Sequence, residues 1–288
     1  MAERICVTGA SGKAGRTVVR DLLEHGYDVV ATDVASSRAD VEHGAVRADL
    51  TDYGQTLEVL TGVDAVVHLA NIPAPGIATA SVTFNTNMAM NFNVFHAAAN
   101  SGVKRVVWAS SETTLGLPFG ATKGRAPRYA PIDEDHYPVP TTTYALSKVA
   151  SETIAREISK WSGTAFVALR FSNIMDPQDY EAFPSRWADP LLRVWNLWGY
   201  VDGRDVAASC RLSLAAPFEA IAGCPALIIA AADTVMNRPS AALFAEVFPG
   251  VALTRDIGEF ETLLAIGRAR EVIGYEPQHS WRDLIHES

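Results

Sequence analysis

The stretch Thr8-Gly9-Ala10-Ser11-Gly12-Lys13-Ala14-Gly15 follows a short apolar run, Ile5-Cys6-Val7, and precedes a segment in which apolar residues recur every three to four positions. This order predicts a buried strand, a glycine-rich turn and an amphipathic helix. Glycine permits a tight turn and lets backbone N–H groups approach a phosphate, and the start of a helix adds favourable partial charge. The spacing is GxxGxxG instead of GxGxxG, so the glycines alone are also compatible with a plain strand-to-helix turn.

Asp33 ends the next apolar run, residues 27–32, and lies 24 residues after Gly9. A carboxylate at this place can accept both ribose hydroxyls of an adenosine and repels the additional phosphate of NADP. The sequence therefore favours NAD as the cofactor. Arg38 leaves NADP open, because a nearby arginine can bind the 2′-phosphate. Asp49 follows the third predicted strand and suits equally a bond to the adenine amine and a cap of the turn with Asp52.

Apolar runs alternate with helical patterns along the chain, and the runs are apolar at every position. This pattern predicts an α/β fold of the Rossmann type, a doubly wound parallel sheet with helices on both faces. Residues 1–171 are expected to form the NAD-binding Rossmann core. Residues 172–288 are expected to add a small C-terminal substrate-binding lobe and to return segments to the core, effectively within one domain. The third strand is predicted at residues 45–50 and C-terminal helices at 240–248 and 262–273.

The composition narrows the class of partner. The 288 residues carry a net charge of −9 and are 48% hydrophobic, so binding to nucleic acid or to an anionic membrane surface is disfavoured. The three cysteines, Cys6, Cys210 and Cys224, form no ligand cluster, and no metal is expected. The N-terminus lacks a signal-peptide pattern, and apolar runs such as 226–232 are too short to span a bilayer. We expect a soluble cytoplasmic protein.

Tyr144 and Lys148 are four residues apart on a predicted helix and therefore share a face. Lowering a tyrosine pKa from about 10 to about 7 takes about 4 kcal/mol, which one ammonium about 4 Å away supplies at an effective dielectric of about 20. Ser111 follows the fifth predicted strand, at the carboxyl edge where open α/β sheets bind ligands. Its hydroxyl can bond a substrate oxygen while Tyr144 moves a proton. Ser110 and Thr113 are alternative hydroxyls.

The ordered motifs resemble the extended short-chain dehydrogenases/reductases of the NAD-dependent epimerase/dehydratase type. The matching pieces cover most of the chain in family order: TGASGKAG at 8–15, Asp33, Asp49-Leu50, His68-Leu69-Ala70, Asn87, ASSETTLG at 109–116, YALSK at 144–148, LRFSNI at 169–174 and YVDGRDVA at 200–207. Each piece alone is weak, whereas the ordered set is specific.

The resemblance implies a catalytic triad in which Tyr144 is the acid/base, Lys148 binds the nicotinamide ribose and lowers the Tyr144 pKa, and Ser111 orients the substrate. Asn87, His68 and Asp205 are expected to be structural. Relatives pair two long helices across a homodimer interface, so a homodimer is expected. The implied cofactor-binding residues are Gly9, Ser11, Gly12, Lys13, Ala14, Gly15, Asp33, Asp49, Leu50, Leu69, Ala70, Tyr144 and Lys148.

Residues 175–180 and the tryptophans after them resemble the uronate dehydrogenases, which oxidise a sugar-acid hemiacetal to a lactone. That group carries Asn-His where this chain has Glu112 and Thr113, and a carboxylate-binding arginine where this chain has Glu181. An acid substrate, a neutral sugar and a polyol-like alcohol therefore stay open. The candidate substrate residues are Glu112, Thr113, Asn173 and Arg186. The tryptophans are interpreted either as a substrate wall or as ordinary packing: Trp187, Trp195 and Trp198.

Three functions follow from these patterns. The first is an NAD-dependent dehydrogenase acting on a secondary alcohol or hemiacetal of a small sugar-like molecule. The second is a nucleotide-sugar 4-epimerase that returns its hydride, and the small substrate segment, residues 172–200, argues against it. The third is a non-catalytic dinucleotide sensor. Such relatives usually lose the Tyr/Lys pair, which this chain retains.

Overall fold

A computed structural model describes residues 2–35, 45–116, 126–136 and 138–285. Its helices are α1 Lys13–Glu24, α2 Tyr53–Val59, α3 Ala80–Asn100, α4 Thr143–Ser162, α5 Gly203–Ala215, α6 Ser240–Val247 and α7 Gly267–Ile273. Its strands are β1 Arg4–Thr8, β2 Asp28–Asp33, β3 Val46–Arg47, β4 Ala65–His68, β5 Arg105–Ser111, β6 Tyr129–Ala130, β7 Ala165–Phe171, β8 Ile174–Met175, β9 Val201–Asp202, β10 Ala226–Ile229 and β11 Ala252–Leu253.

Seven strands form one parallel sheet in the order β10-β7-β5-β4-β1-β2-β3. Side chains of a strand point alternately to its two faces, so Ile5 and Val7 of β1 join one apolar cluster and Cys6 joins the other. The first cluster includes residues of α1, α5 and α6, and the second includes residues of α2, α3 and α4. Helices thus cover both faces, and the predicted Rossmann architecture is confirmed.

Two predicted elements are shorter than the sequence pattern indicated. The third strand keeps only Val46–Arg47 of residues 45–50. The last helix begins at Gly267 instead of residue 262. Residues 262–265 bond elsewhere, because the backbone N–H of Thr262 donates to Ala232 and the N–H of Ala265 donates to Ile132. Backbone hydrogen bonds to distant segments of the same chain therefore replace the helical bonds that the apolar spacing predicted.

The segment after β7 builds a small lobe beside the sheet. Strands β8 and β9 pair with each other, and three 3₁₀ turns follow β8, at Pro177–Ala182, Pro184–Arg186 and Pro190–Asn196. Tyr180, Phe183 and Tyr200 pack with edge-to-face or tilted rings 5.3 to 5.8 Å apart. These aromatic residues belong to the same buried cluster as Val167 of the sheet. Among the described helices, none is long and apolar enough to cross a membrane.

Arg105 of β5 ties the sheet to the end of α5. Its guanidinium is buried and donates to three carbonyls there: Ser213 at 2.9 Å, Leu214, and Ala216 at 2.7 Å. The last carbonyls of a helix have no partner within the helix and carry partial negative charge. A single cation therefore satisfies the carboxyl end of α5.

We expect Arg105→Met to lower the free energy of unfolding by about 3 kcal/mol, because it removes charge-assisted hydrogen bonds and leaves buried carbonyls unpaired. Urea denaturation measures the change. Arg4→Met is the matched control, since Arg4 is half exposed and lies 3.5 Å from Asp28, and it should cost less than about 1 kcal/mol. Equal costs for the two variants would contradict the anchoring role.

Candidate active site

A cavity of about 630 Å³ runs along the carboxyl edge of the sheet. Its walls come from the glycine turn after β1, from the segments following β2, β3, β4, β5 and β7, from α3 and α4, and from Trp195 of the lobe. Because the carboxyl ends of parallel strands share one edge, ligands of open α/β sheets bind there. The candidate functional groups lie in and around this cavity.

The glycine turn lies so close to its neighbours that side chains do not fit. A Cβ at Gly9 would lie 2.6 Å from the Ala70 nitrogen, and one at Gly15 would lie 2.1 Å from the Gly9 oxygen. Gly9 also has φ of +70°, a conformation that favours glycine. Helix α1 starts after Gly12 without a side-chain cap, which leaves its first N–H groups for an anion. The turn therefore fits the pyrophosphate of a dinucleotide.

Asp33 lines the cavity at the end of β2. Its carboxylate accepts the backbone N–H of Ser11 at 3.0 Å and that of Ala35 at 3.2 Å, which fixes its orientation. This arrangement fits a ribose diol and disfavours a 2′-phosphate. Ser11 is not among the residues lining the cavity, and its hydroxyl donates to the Ala35 carbonyl. Arg38, on which the NADP alternative depends, lies outside the described residues.

Asp49 and Leu50 also line the cavity, as do Leu69 and Ala70. The Asp49 carboxylate accepts the hydroxyl and the backbone N–H of Thr51, at 2.7 and 2.9 Å. The bond from the Thr51 hydroxyl is the main cause that lowers the pKa of Asp49. Asp49 thus caps the expected turn with Asp52, whose backbone N–H donates to the Asp49 carbonyl at 3.0 Å, and its contact with adenine stays a prediction.

Ser111, Tyr144 and Lys148 lie together at the other end of the cavity. Ser111 is the last residue of β5, its hydroxyl accepts the Thr113 N–H at 3.2 Å, and its proximity to the Tyr144 phenol acts to lower the pKa of that group. Lys148, one turn further along α4, has its Nζ 5.5 Å from the centroid of the Tyr144 ring and donates to the Ala109 carbonyl at 2.8 Å. The Ser110 hydroxyl instead donates to Glu152 at 2.6 Å. The structure thus brings the predicted triad together and favours Ser111 over Ser110.

Burial controls the charge of both triad members on α4. It raises the pKa of Tyr144 to about 12, and the nearby Ser111 hydroxyl opposes this rise. It lowers the pKa of Lys148 to about 7, and the negative charge of Glu152 opposes this fall. The expectation that Lys148 alone brings the Tyr144 pKa close to 7 is therefore not met. Desolvation disfavours the charged form of each group.

Glu112 is a buried carboxyl in the cavity wall next to Ser111. It accepts the Ser172 hydroxyl at 2.6 Å and the Asn196 amide at 3.2 Å. Burial raises its pKa to about 7, against the lowering effects of these two bonds and of the Arg193 charge. Ser172, Asn196 and Arg193 were not predicted from the sequence, since their positions carry no motif that links them to Glu112.

Only some of the remaining candidate substrate residues line the cavity. Thr113 and Asn173 line the cavity, but Arg186 does not, and its guanidinium lies 5.7 Å from the centroid of the Phe183 ring. Trp195 lines the cavity. The indole N–H groups of the other two tryptophans donate to backbone carbonyls instead, Trp187 to Val235 and Trp198 to Pro190. Packing therefore describes Trp187 and Trp198, and the wall interpretation is limited to Trp195.

The residues expected to be structural bond to the framework. His68 lies between Thr8 and Asn91, at 2.7 and 2.9 Å, and burial lowers its pKa to about 3. Asn87 bonds both backbone groups of Ile72, and Asp205 accepts backbone N–H groups near the C-terminus. Several further residues line the cavity and were not predicted from the sequence: Asn71, Ile72, Pro73, Ala74, Pro75, Thr86 and Met90.

A family model, NAD dependent epimerase/dehydratase family, matches residues 5–205. The chain belongs to this family. Among curated relatives it is 28% identical over 202 residues to the NAD-dependent glucose-6-phosphate dehydrogenase of Haloferax volcanii, covering 65% of this chain and 76% of that one. It is 30% identical over 183 residues to the uronate dehydrogenase of Pseudomonas putida, covering 61% and 63%. The expected NAD-dependent enzyme class is confirmed.

The crystal structure of a UDP-galactose 4-epimerase is also similar, at 27% identity and a TM-score of 0.69, covering 96% of this chain and 94% of that chain. A chain of this length and fold therefore occurs among the epimerases of the epimerase/dehydratase family. The small size of residues 172–200 therefore does not argue against a nucleotide-sugar epimerase, since 94% of that epimerase chain aligns with this chain. Among the described residues, no cluster of histidine, cysteine and acidic side chains could hold a metal.

The raised pKa of Glu112 should make the free energy of unfolding depend on pH. Its pKa is about 7 in the folded chain against an ordinary 4.5, so the folded state binds more protons between these values. Stability then falls as pH rises from about 4.5 to about 7, by about 3 kcal/mol at 1.36 kcal/mol per pKa unit, and stays lower above.

Glu112→Gln removes this ionisation and should gain about 3 kcal/mol relative to the wild type between pH 4.5 and pH 8, as measured by urea denaturation at both values. Glu157→Gln, an exposed change on α4, should show a pH-independent difference from the wild type within about 0.5 kcal/mol. A Glu112→Gln difference that is the same at both pH values would show that Glu112 titrates normally.

Proposed function

We propose that the protein is an NAD-dependent dehydrogenase that oxidises a secondary alcohol or hemiacetal hydroxyl of a small sugar-like molecule. The observation that carries this proposal is the placement of Ser111, Tyr144 and Lys148 together at one end of a cavity. The other end of the cavity offers the glycine turn and Asp33. A proton-transfer group and a dinucleotide cradle therefore face one space.

In this mechanism the substrate hydroxyl lies between Ser111 and Tyr144. Ser111 bonds the substrate oxygen and orients it, and Tyr144 takes the hydroxyl proton as the carbon–oxygen double bond forms. Lys148, held by the Ala109 carbonyl, favours the Tyr144 anion whenever it carries its proton. Bound NAD, held by the glycine turn and Asp33, would supply the hydride acceptor for the substrate carbon. In the reverse reaction Tyr144 returns the proton.

A nucleotide-sugar epimerase is the second candidate, and the similarity to the UDP-galactose 4-epimerase supports it. The dehydrogenase is favoured because the relative that this chain covers to 76% of its length is a dehydrogenase by name. Net NADH formation with substrate distinguishes the two, since an epimerase returns its hydride. A sensor without catalysis is disfavoured, because Tyr144 and Lys148 both line the cavity.

We also propose that the protein forms a homodimer. The outer surfaces of α3 and α4 carry large apolar side chains that are exposed in the single chain, Phe92, Leu146 and Trp161. Helices α3 and α4 pack against each other, so these side chains lie on neighbouring surfaces, and pairing two copies would bury them.

Tyr144→Phe should lower kcat by about 10² to 10⁴-fold, because it removes the proton-transfer group and keeps the ring. NADH formation with an accepted sugar measures this loss, and the thermal shift on adding NAD should be retained. Tyr53→Phe is the matched control, since Tyr53 lies outside the cavity walls, and it should leave kcat unchanged. Unaltered activity in Tyr144→Phe would favour the sensor.

Asp33→Asn should reduce the preference of kcat/KM for NAD over NADP by about tenfold or more, equivalent to about 1.4 kcal/mol. The amide keeps an acceptor for Ser11 but loses the charge that repels a 2′-phosphate. Asp28→Asn serves as the control, because Asp28 is at the exposed start of the same strand. An unchanged preference in Asp33→Asn would show that another group selects the cofactor.

A further inference from the structure

We propose that Glu112 makes this site selective for uncharged sugars, because its carboxyl group bonds a substrate hydroxyl and repels the carboxylate of a uronate or the phosphate of a sugar phosphate. This inference rests on the proposed dehydrogenase function and specifies its substrate class. It departs from the names of the two curated relatives, since a uronate and glucose 6-phosphate are both anions.

The placement of charge around the cavity disfavours an anionic substrate. Among the described lining residues the cations are Lys13 and Lys148, and no arginine is present. Lys13 lies at the glycine turn and pairs with Asp179 at 2.5 Å. Lys148 donates to Ala109 beside Tyr144, where the reacting hydroxyl would lie. A carboxylate or phosphate group on the substrate would therefore lose its hydration without gaining a counterion.

The two arginines of the lobe do not change this balance. Arg186 lies outside the cavity walls, against Phe183. Arg193 is buried, with its guanidinium 4.9 Å from the centroid of the Trp195 ring, and it donates to the Gly199 carbonyl at 3.0 Å. Trp195 lines the cavity and Arg193 does not. The positive charge of Arg193 acts on Glu112 but is not presented to a ligand.

The cavity wall at Glu112 has hydrogen-bonding capacity for a substrate hydroxyl. A carboxylate has about four acceptor positions, and Glu112 accepts two side-chain donors, the Ser172 hydroxyl and the Asn196 amide. Acceptor capacity is then left for a substrate hydroxyl. In the described part of the chain the buried Thr113 Oγ1, in the same wall, has no hydrogen-bond partner. Both groups are complementary to hydroxyls.

The protonation state of Glu112 agrees with this assignment. With its pKa raised to about 7 by burial, the carboxyl group accepts a hydrogen bond in one form and donates one in the other, and a sugar hydroxyl suits both. An anion is repelled by the charged form. The charged and titratable groups that act with Glu112 are Arg193 from the 3₁₀ turn and Tyr144 from α4.

The test compares pairs of sugars that differ only in the charged group. The full-length protein with NAD is given D-galactose and D-galacturonate, and D-glucose, D-glucuronate and D-glucose 6-phosphate, and NADH formation gives kcat/KM. We expect the neutral member of a pair to exceed the anionic member by about 100-fold or more. A preference for an anionic sugar overturns the inference and leaves the dehydrogenase in place. If no sugar, polyol or sugar acid yields NADH, the proposed function fails and the inference with it.

Glu112→Gln then tests the residue itself. Its ratio of neutral to anionic kcat/KM should fall by about tenfold or more, because the repelling charge is gone. The amide can be accommodated, since its oxygen can keep the bond from Asn196 and its NH2 group can donate to the Ser172 hydroxyl, which both donates and accepts. Glu134→Gln is the matched control, a half-buried acid that bonds the Ile228 N–H outside the cavity, and its ratio should stay unchanged. An unchanged ratio in Glu112→Gln overturns the assignment.

A binding measurement separates selectivity from turnover. In the presence of NADH no oxidation occurs, so the rise in Tm on adding each sugar reports binding alone. D-galactose should raise the Tm of the wild type more than D-galacturonate at equal concentration, and Glu112→Gln should reduce this difference. Equal shifts for both sugars in the wild type would contradict the inference whatever the kinetics show.

Discussion

Loss of hydration at the carboxyl edge of the sheet determines the charge state of the whole site. Burial is the largest cause of the raised pKa of Tyr144 and Glu112 and of the lowered pKa of Lys148. In each case it favours the neutral form. Because the effective dielectric is low in such a place, a charge brought by a ligand acts strongly on all three groups. The site is therefore sensitive to the charge of whatever enters it.

A buried chain of hydrogen bonds connects the two ends of the cavity. Thr8, directly before the glycine turn, bonds His68, which bonds Asn91 of α3, and Asn91 donates to Ser151 of α4 at 2.8 Å. Ser151 is on the same helix as Tyr144 and Lys148. Since every polar group in such a network must be satisfied, the network holds the strand that carries the turn and the helix that carries the triad in one arrangement.

The fold and the triad could be predicted because their signals are local in sequence. Apolar runs and helical periodicity gave the sheet, and the spacing of Tyr144 and Lys148 placed them on one face of α4. The environment of Glu112 could not be predicted, since its partners Ser172 and Asn196 lie 60 and 84 residues away in the chain. Its pKa follows from burial, which the sequence does not display. Arg186 was a candidate by residue type alone, and packing against Phe183 directs it elsewhere.

The proposed catalytic residues and the proposed specificity residues lie on different kinds of structure in this chain. Ser111, Tyr144 and Lys148 lie on a strand and a long helix, where regular backbone bonds fix them. The substrate end depends on the 3₁₀ turn Pro190–Asn196, which presents Trp195 to the cavity and Asn196 to Glu112. The Asn196 amide also holds the Gly199 carbonyl at 2.7 Å. A change in this turn would move the wall and the partner of Glu112 together without moving the predicted triad, so the proposed reaction can be kept while the substrate preference changes.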